Sequence, residues 1–107
     1  MPYNEDLDAR IAEVVSGWNA ERREMFGGTC YLLNGHMMCG VHKEYLILHL
    51  GEPDASEALA TTLARPFDIT GKPMKGWIMV DKRGYQGEHL TRWLEKVRAF
   101  AESLPPK

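Results

Sequence analysis

Two cysteines, four histidines and two glycine-rich stretches carry the residue types that could do chemistry in this chain. Cys30 and Cys39 flank Asn34-Gly35. If strands pair around that dipeptide, the two thiols face each other across a non-hydrogen-bonded site. Such sites bring Cα atoms close enough for a cross-strand disulfide, and hence for a redox switch. The competing reading is a pair of small apolar core thiols, which a reducing cytoplasm favours. His36, His42, His49 and His89 show no HxH or HExxH spacing, so no metal site is expected. Gly27-Gly28 and the stretch from Gly71 to Gly76 match neither GxxxxGK[ST] nor GxGxxG, and neither leads from a strand into a helix. Glycine for backbone geometry is the preferred reading, with Gly27-Gly28 marking a bulge or a close backbone approach. Lys75 lies next but one to Trp77, where an ammonium can meet an aromatic face. Spacing shows no Ser/His/Asp or Cys/His nucleophile arrangement. No catalytic residue and no cofactor is therefore expected.

The elements that must place these groups begin with a meander from Met25 to Gly51. Asn34-Gly35 between two apolar runs is a strong hairpin signal, because a type I′ turn needs positive φ at both central residues. That turn pairs Leu33 with His36, Leu32 with Met37, Tyr31 with Met38 and Cys30 with Cys39. A second turn at Lys43-Glu44 pairs Val41 with Leu46 and Cys39 with Leu48. Alternation then puts Cys30, Leu32, Met37, Cys39, Val41, Leu46, Leu48 and Leu50 on one face, the expected core. The other face carries Thr29, Tyr31, Leu33, His36, Met38, Gly40, His42, Tyr45, Ile47 and His49. A one-residue slip would exchange the two faces.

Leu7, Ile11, Val14, Val15 and Trp18 form one stripe of a helix from about Glu5 to about Trp18. Glu21 to Glu24 reads as a charged lead into the meander. Asp54 and Glu57 have capping-box spacing for a short helix that Pro66 stops. Phe67 to Ile69 is a brief fourth strand, and Gly76 to Val80 a fifth, inside the sheet. A last helix from about Gly87 to about Leu104 carries Leu90, Trp93, Leu94, Val97, Phe100, Ala101 and Leu104 on one stripe. The order α-β-β-β-α-β-β-α indicates α+β, with a mostly antiparallel five-stranded sheet covered on one face by helices.

A chain of 107 residues is one domain by size, spanning 1–107. A formal net charge of −2 argues against a dedicated nucleic-acid binder. The acidic, polar start MPYNEDLDAR is not a signal peptide, and no apolar run is long enough for a membrane span. A cytoplasmic location is the expectation.

Residues 23–41, REMFGGTCYLLNGHMMCGV, resemble the MFGG-strand-NG-strand segment of the TfoX/Sxy N-terminal domain. The later RPFDITGKPMKGWIMVD resembles that family's second block, with its Pro-Met-Lys-Gly-Trp core. The opening MPYNEDLDARI and the closing LTRWLEKVRAFAESLPP are similar to members that consist of this domain alone. The resemblance implies a two-layer α+β fold and a kinship with regulators of natural competence. It implies no catalytic residues and no ligand. Many members carry Arg where this chain has His49.

Three functions stay open at this point. The first is a non-enzymatic binding or regulatory module working through a protein partner or a homodimer. Its surface would be Tyr31, Met38, Tyr45, Ile47 and His49, with Lys75 and Trp77, because aromatic and Met side chains on a solvent-side face exceed what solubility needs. The second is a small-molecule binder or enzyme with a pocket between sheet and helices, its ligand unknown. The third, argued against by the charge, is nucleic-acid binding through Lys72, Lys75, Lys82 and Arg83.

Overall fold

A computed structural model describes residues 5–25, 28–60, 64–67 and 76–105. Helix α1 spans Glu5–Val15 and opens with Glu5, Asp6 and Asp8, carboxylates that favour a helix N-terminus. Four strands follow: β1 Glu21–Met25, β2 Gly28–Leu33, β3 His36–His42 and β4 Tyr45–His49. Next come α2 (Glu52–Leu59), β5 (Ala64–Pro66), β6 (Trp77–Val80), a 3-10 turn at Lys82–Gly84 and α3 (Glu88–Ser103). The strands form a single antiparallel sheet in the order β1-β2-β3-β4-β6-β5. No helix among the described residues is long and apolar enough to cross a membrane.

The class is α+β, as expected, but among the described residues the sheet has six strands rather than five. The additional strand is β1. Its Glu21, Arg22, Arg23 and Glu24 are all exposed, so it shows no apolar alternation and joins the sheet by backbone pairing with β2. The strand expected at Phe67 to Ile69 lies earlier, at Ala64–Pro66, with Phe67 just past its end; Asp68 and Ile69 fall outside the described residues. Pro66 sits on the edge strand β5, where a missing N–H is tolerated. Strand β6 lies inside the sheet between β4 and β5.

The Asn34-Gly35 turn has φ of 55° and 85°, and it pairs Leu33 with His36 and Leu32 with Met37 as expected. One residue further the register shifts. Tyr31 pairs with Cys39, and Cys30 with Gly40, leaving Met38 as an extra residue in β3. A bulge of this kind lets two consecutive side chains lean to the same side, and Met38 and Cys39 both lie in the helix-side core. The second hairpin holds the expected register, Val41 with Leu46 and Cys39 with Leu48.

The bulge corrects the facial assignment of β2. Tyr31 and Leu33 belong to the core under the helices, so Cys30 and Leu32, which alternate with them, point to the opposite face. That core gathers Leu7 and Ile11 of α1, Ala55 of α2 and Leu90, Leu94 and Val97 of α3. Against them lie Val41, Leu46, Leu48, Ile78 and Val80 of the central strands. Each fully buried Leu or Ile here contributes about 1.5–3 kcal/mol. Gly28 and Gly40 let β2 and β3 approach closely. A Cβ on Gly28 would collide with the Val41 carbonyl oxygen, and one on Gly40 with the Thr29 carbonyl oxygen.

Candidate functional site

The sheet face away from the main core carries a second apolar cluster of Ile47, Phe67 and Met79. Met37, Tyr45 and Trp77 pack against it and are partly exposed. Strand pairing explains the assembly, since Ile47 lies opposite Met79 and His49 opposite Trp77. The imidazole of His49 stacks on the Trp77 indole at 4.2 Å with 6° between planes. His49 Nδ1 donates to the Met37 carbonyl at 3.2 Å. Phe67 tilts onto Trp77 at 5.8 Å.

From the other side Phe100 of α3 meets His49 edge-on at 4.9 Å. Gly51 makes that reach possible. It holds φ 87°, and a Cβ there would lie 2.6 Å from Phe100 Cε1. The result is a continuous aromatic row, Phe67–Trp77–His49–Phe100. Beside it, the Arg65 guanidinium sits 5.4 Å from the Tyr45 ring centroid and donates to the Tyr45 hydroxyl at 3.3 Å.

Of the residues singled out in the sequence, Tyr45, Ile47, His49 and Trp77 come together on this face. Tyr31 and Met38 do not. Their relative exposures are 2% and 0%, and both lie under the helices, on the inner side of the bulged register. Lys75 falls outside the described residues, as does Lys72. Arg65, Phe67 and Met79 join the surface without having been singled out, and Met37, expected on the core face, lies on this side of the bulge instead. The placement of β5 beside β6 brings Arg65 opposite Met79.

Cys30 and Cys39 are free, buried thiols. They are not cross-strand partners, because the register shift puts Gly40 opposite Cys30, and they lean to opposite faces. Burial pushes both thiols above their ordinary pKa, which removes the thiolate that disulfide exchange requires. The directly facing pair that the sequence reading expects is not formed in this register. Among the described residues no group of three or more His, Cys, Asp or Glu could hold a metal ion. His36 instead donates from Nε2 to the Pro105 carbonyl at 2.6 Å, tying the end of the chain to β3.

One buried polar cluster was not foreseen. Asp8 of α1 is 8% exposed and receives three side chains from the sheet. Tyr31 donates its hydroxyl to Oδ1 at 2.6 Å, Thr29 donates to the same oxygen at 3.0 Å, and Arg22 pairs with Oδ2 at 2.7 Å. Burial alone would raise the Asp8 pKa, but the hydrogen bonds from Arg22, Tyr31 and Thr29 outweigh it and hold the carboxyl below its ordinary value. Desolvation and then the Asp8 hydrogen bond raise the Tyr31 pKa, keeping the phenol neutral. The Tyr31 hydroxyl donating to the Asp8 carboxylate is a lock between α1 and β2, with neither group presented to a substrate. The visible hint is a carboxylate adjoining the Leu7/Ile11 stripe.

No curated protein and no solved structure matches the chain. The family model described as the TfoX N-terminal domain matches residues 16–101. That span runs from the end of the first helix to the last turns of α3, and so takes in the whole sheet. A match over that much of a 107-residue chain settles the family: the chain belongs to the TfoX N-terminal domain family.

Proposed function

We propose that this chain is a non-enzymatic binding and regulatory module of the cytoplasm, of the competence-regulator type, working through protein contacts made by the outer sheet face. A second copy of the chain is the partner favoured. The observation that carries this reading is the placement of all three helices on one side of the sheet. An aromatic and Met surface around Tyr45, Trp77 and Met37 is left on the other. Aromatic and Arg side chains that are already held rigid, as Trp77 and Arg65 are, lose little freedom on association and make strong contact anchors.

Sedimentation of the purified protein over a range of concentrations tests it. The wild type is expected to form a dimer. Tyr45→Asp and Met37→Asp, each placing a charge in the centre of the contact, should weaken that dimer by roughly tenfold or more. A wild-type protein that stays monomeric throughout the range would remove self-association as the mode of action.

A further inference from the structure

A separate feature lies on the helical side of the molecule. The 3-10 turn at Lys82–Gly84 and the first half of α3 enclose an open hollow of about 160 Å³. Gly84, His89, Arg92, Trp93 and Lys96 line it, with no acidic side chain among them, although the chain as a whole carries a net charge of −2.

His89, Arg92 and Lys96 are spaced i, i+3 and i+7, so they share one face of α3. Among the described residues the side chains of His89 and Arg92 make no hydrogen bond or ion pair, and Lys96 meets only the Trp93 ring, at 5.5 Å. Like charges four residues apart, as in Arg92 and Lys96, weaken an isolated helix. Glu88 and Glu95, four residues before and three after Arg92, lie on the same helix, but among the described residues neither forms an ion pair with it.

The hollow is held open by contacts that do not involve these three groups. Trp93 donates its indole N–H to the Gly84 carbonyl at 2.9 Å. Asp81 caps the turn by accepting from the Arg83 backbone N–H at 3.0 Å. Arg10 of α1 donates to the carbonyls of Tyr85 and Gly87 at 3.3 and 3.2 Å, fixing the link into α3. The wall and floor of the hollow are therefore fixed by contacts of their own.

We propose that this hollow binds a phosphate group. Its volume is below the roughly 300–1,000 Å³ typical of pockets for drug-sized ligands, so one compact group fills it. The side chains of Arg92, Lys96 and His89 border the space, exposed and within reach of a group bound there. A carboxylate offers two oxygens and one charge, too few for that donor set. A phosphate monoester offers three oxygens and about 1.5 to 2 negative charges. Trp93 supplies an apolar wall on one side. The phosphate arrives either as the free ion or on a small ester such as a nucleoside monophosphate. This site is independent of the outer sheet face.

Proton–nitrogen correlation spectra of the full chain test the assignment, with the Trp93 indole N–H as reporter. Titrations use inorganic phosphate, adenosine monophosphate and acetate at constant ionic strength. The expected result is a saturable shift of the Trp93 indole with phosphate, with the monophosphate, or with both. Saturation by both identifies the free ion as sufficient; saturation by the monophosphate alone places the group on an ester. Arg92→Ala/Lys96→Ala, a pair of exposed changes that should leave the melting temperature unaltered, should weaken binding at least tenfold. No saturable shift with either phosphate probe would overturn the proposal. So would equal saturation by acetate, or affinity unchanged in the double variant.

Discussion

Gly28→Ala is expected to cost the fold more than any other single methyl group added to β2. The new Cβ would occupy the space of the Val41 carbonyl oxygen and lie 3.4 Å from His42 Cα. Both neighbours are backbone in the adjacent strand, so no side chain can rotate away. Relief requires separating β2 from β3, the pair that carries the bulge. Overpacking of a filled interior costs about 1–3 kcal/mol, and a clash with paired backbone belongs at or above the top of that range. For a domain near 100 residues a loss of about 3 kcal/mol lowers the melting temperature by roughly 12–24 °C. Thermal unfolding followed by circular dichroism measures it. A variant that melts within a few degrees of wild type would show that β2 and β3 do not approach as closely as described.

The second large effect belongs to Asp8. In Asp8→Ala the Thr29 hydroxyl keeps its burial and loses its acceptor, and Tyr31 trades the carboxylate for the longer 3.2 Å bond to the backbone carbonyl of residue 8. An orphaned buried donor costs about 1–3 kcal/mol and the lost charge-assisted bond from Tyr31 adds about 1 kcal/mol, so the variant should lose roughly 2–4 kcal/mol. Asp8→Asn retains an oxygen for both hydroxyls and should lose about 1 kcal/mol. Arg22→Ala should lose less than about 1 kcal/mol, because its side chain is 41% exposed and solvent screens the pair.

The pH dependence has a definite sign. The folded Asp8 carboxyl titrates below its ordinary value of 3.8. Its contribution is therefore complete above the unfolded pKa and is lost as pH falls below that value through the depressed folded pKa. Urea midpoints at pH 7, about 4 and about 2.5 should show a steep acid loss in wild type that is shallower in Asp8→Asn. Parallel acid profiles in the two proteins would refute the assignment.

Much of this architecture was legible before any coordinates. Asn34-Gly35 dictates its own backbone angles, and the leucines and valines of β4 and α3 reveal their buried sides by spacing alone. What escaped has a common physical origin. The bulge at Met38 alters a register without altering composition, so a reading by strict alternation placed Tyr31 and Met38 on the wrong side and set Cys30 against Cys39. Strand β1 has four consecutive charged residues, and only backbone pairing with β2 makes it a strand. The Asp8 cluster joins residues as far as 23 positions apart, and such hydrogen bonds leave no local periodicity. Half of the outer surface was legible because β4 is regular; Arg65 and Phe67 were not, because β5 is three residues long.

The two borders of the sheet govern how the protein behaves when crowded. One ends in the charged run Glu21-Arg22-Arg23-Glu24, the other in the proline at position 66. Neither offers the bare, uncharged ribbon onto which another chain could zip by main-chain hydrogen bonding. Concentrated solutions should thus resist open-ended fibre growth, and any assembly the molecule makes is steered toward closed complexes of fixed size.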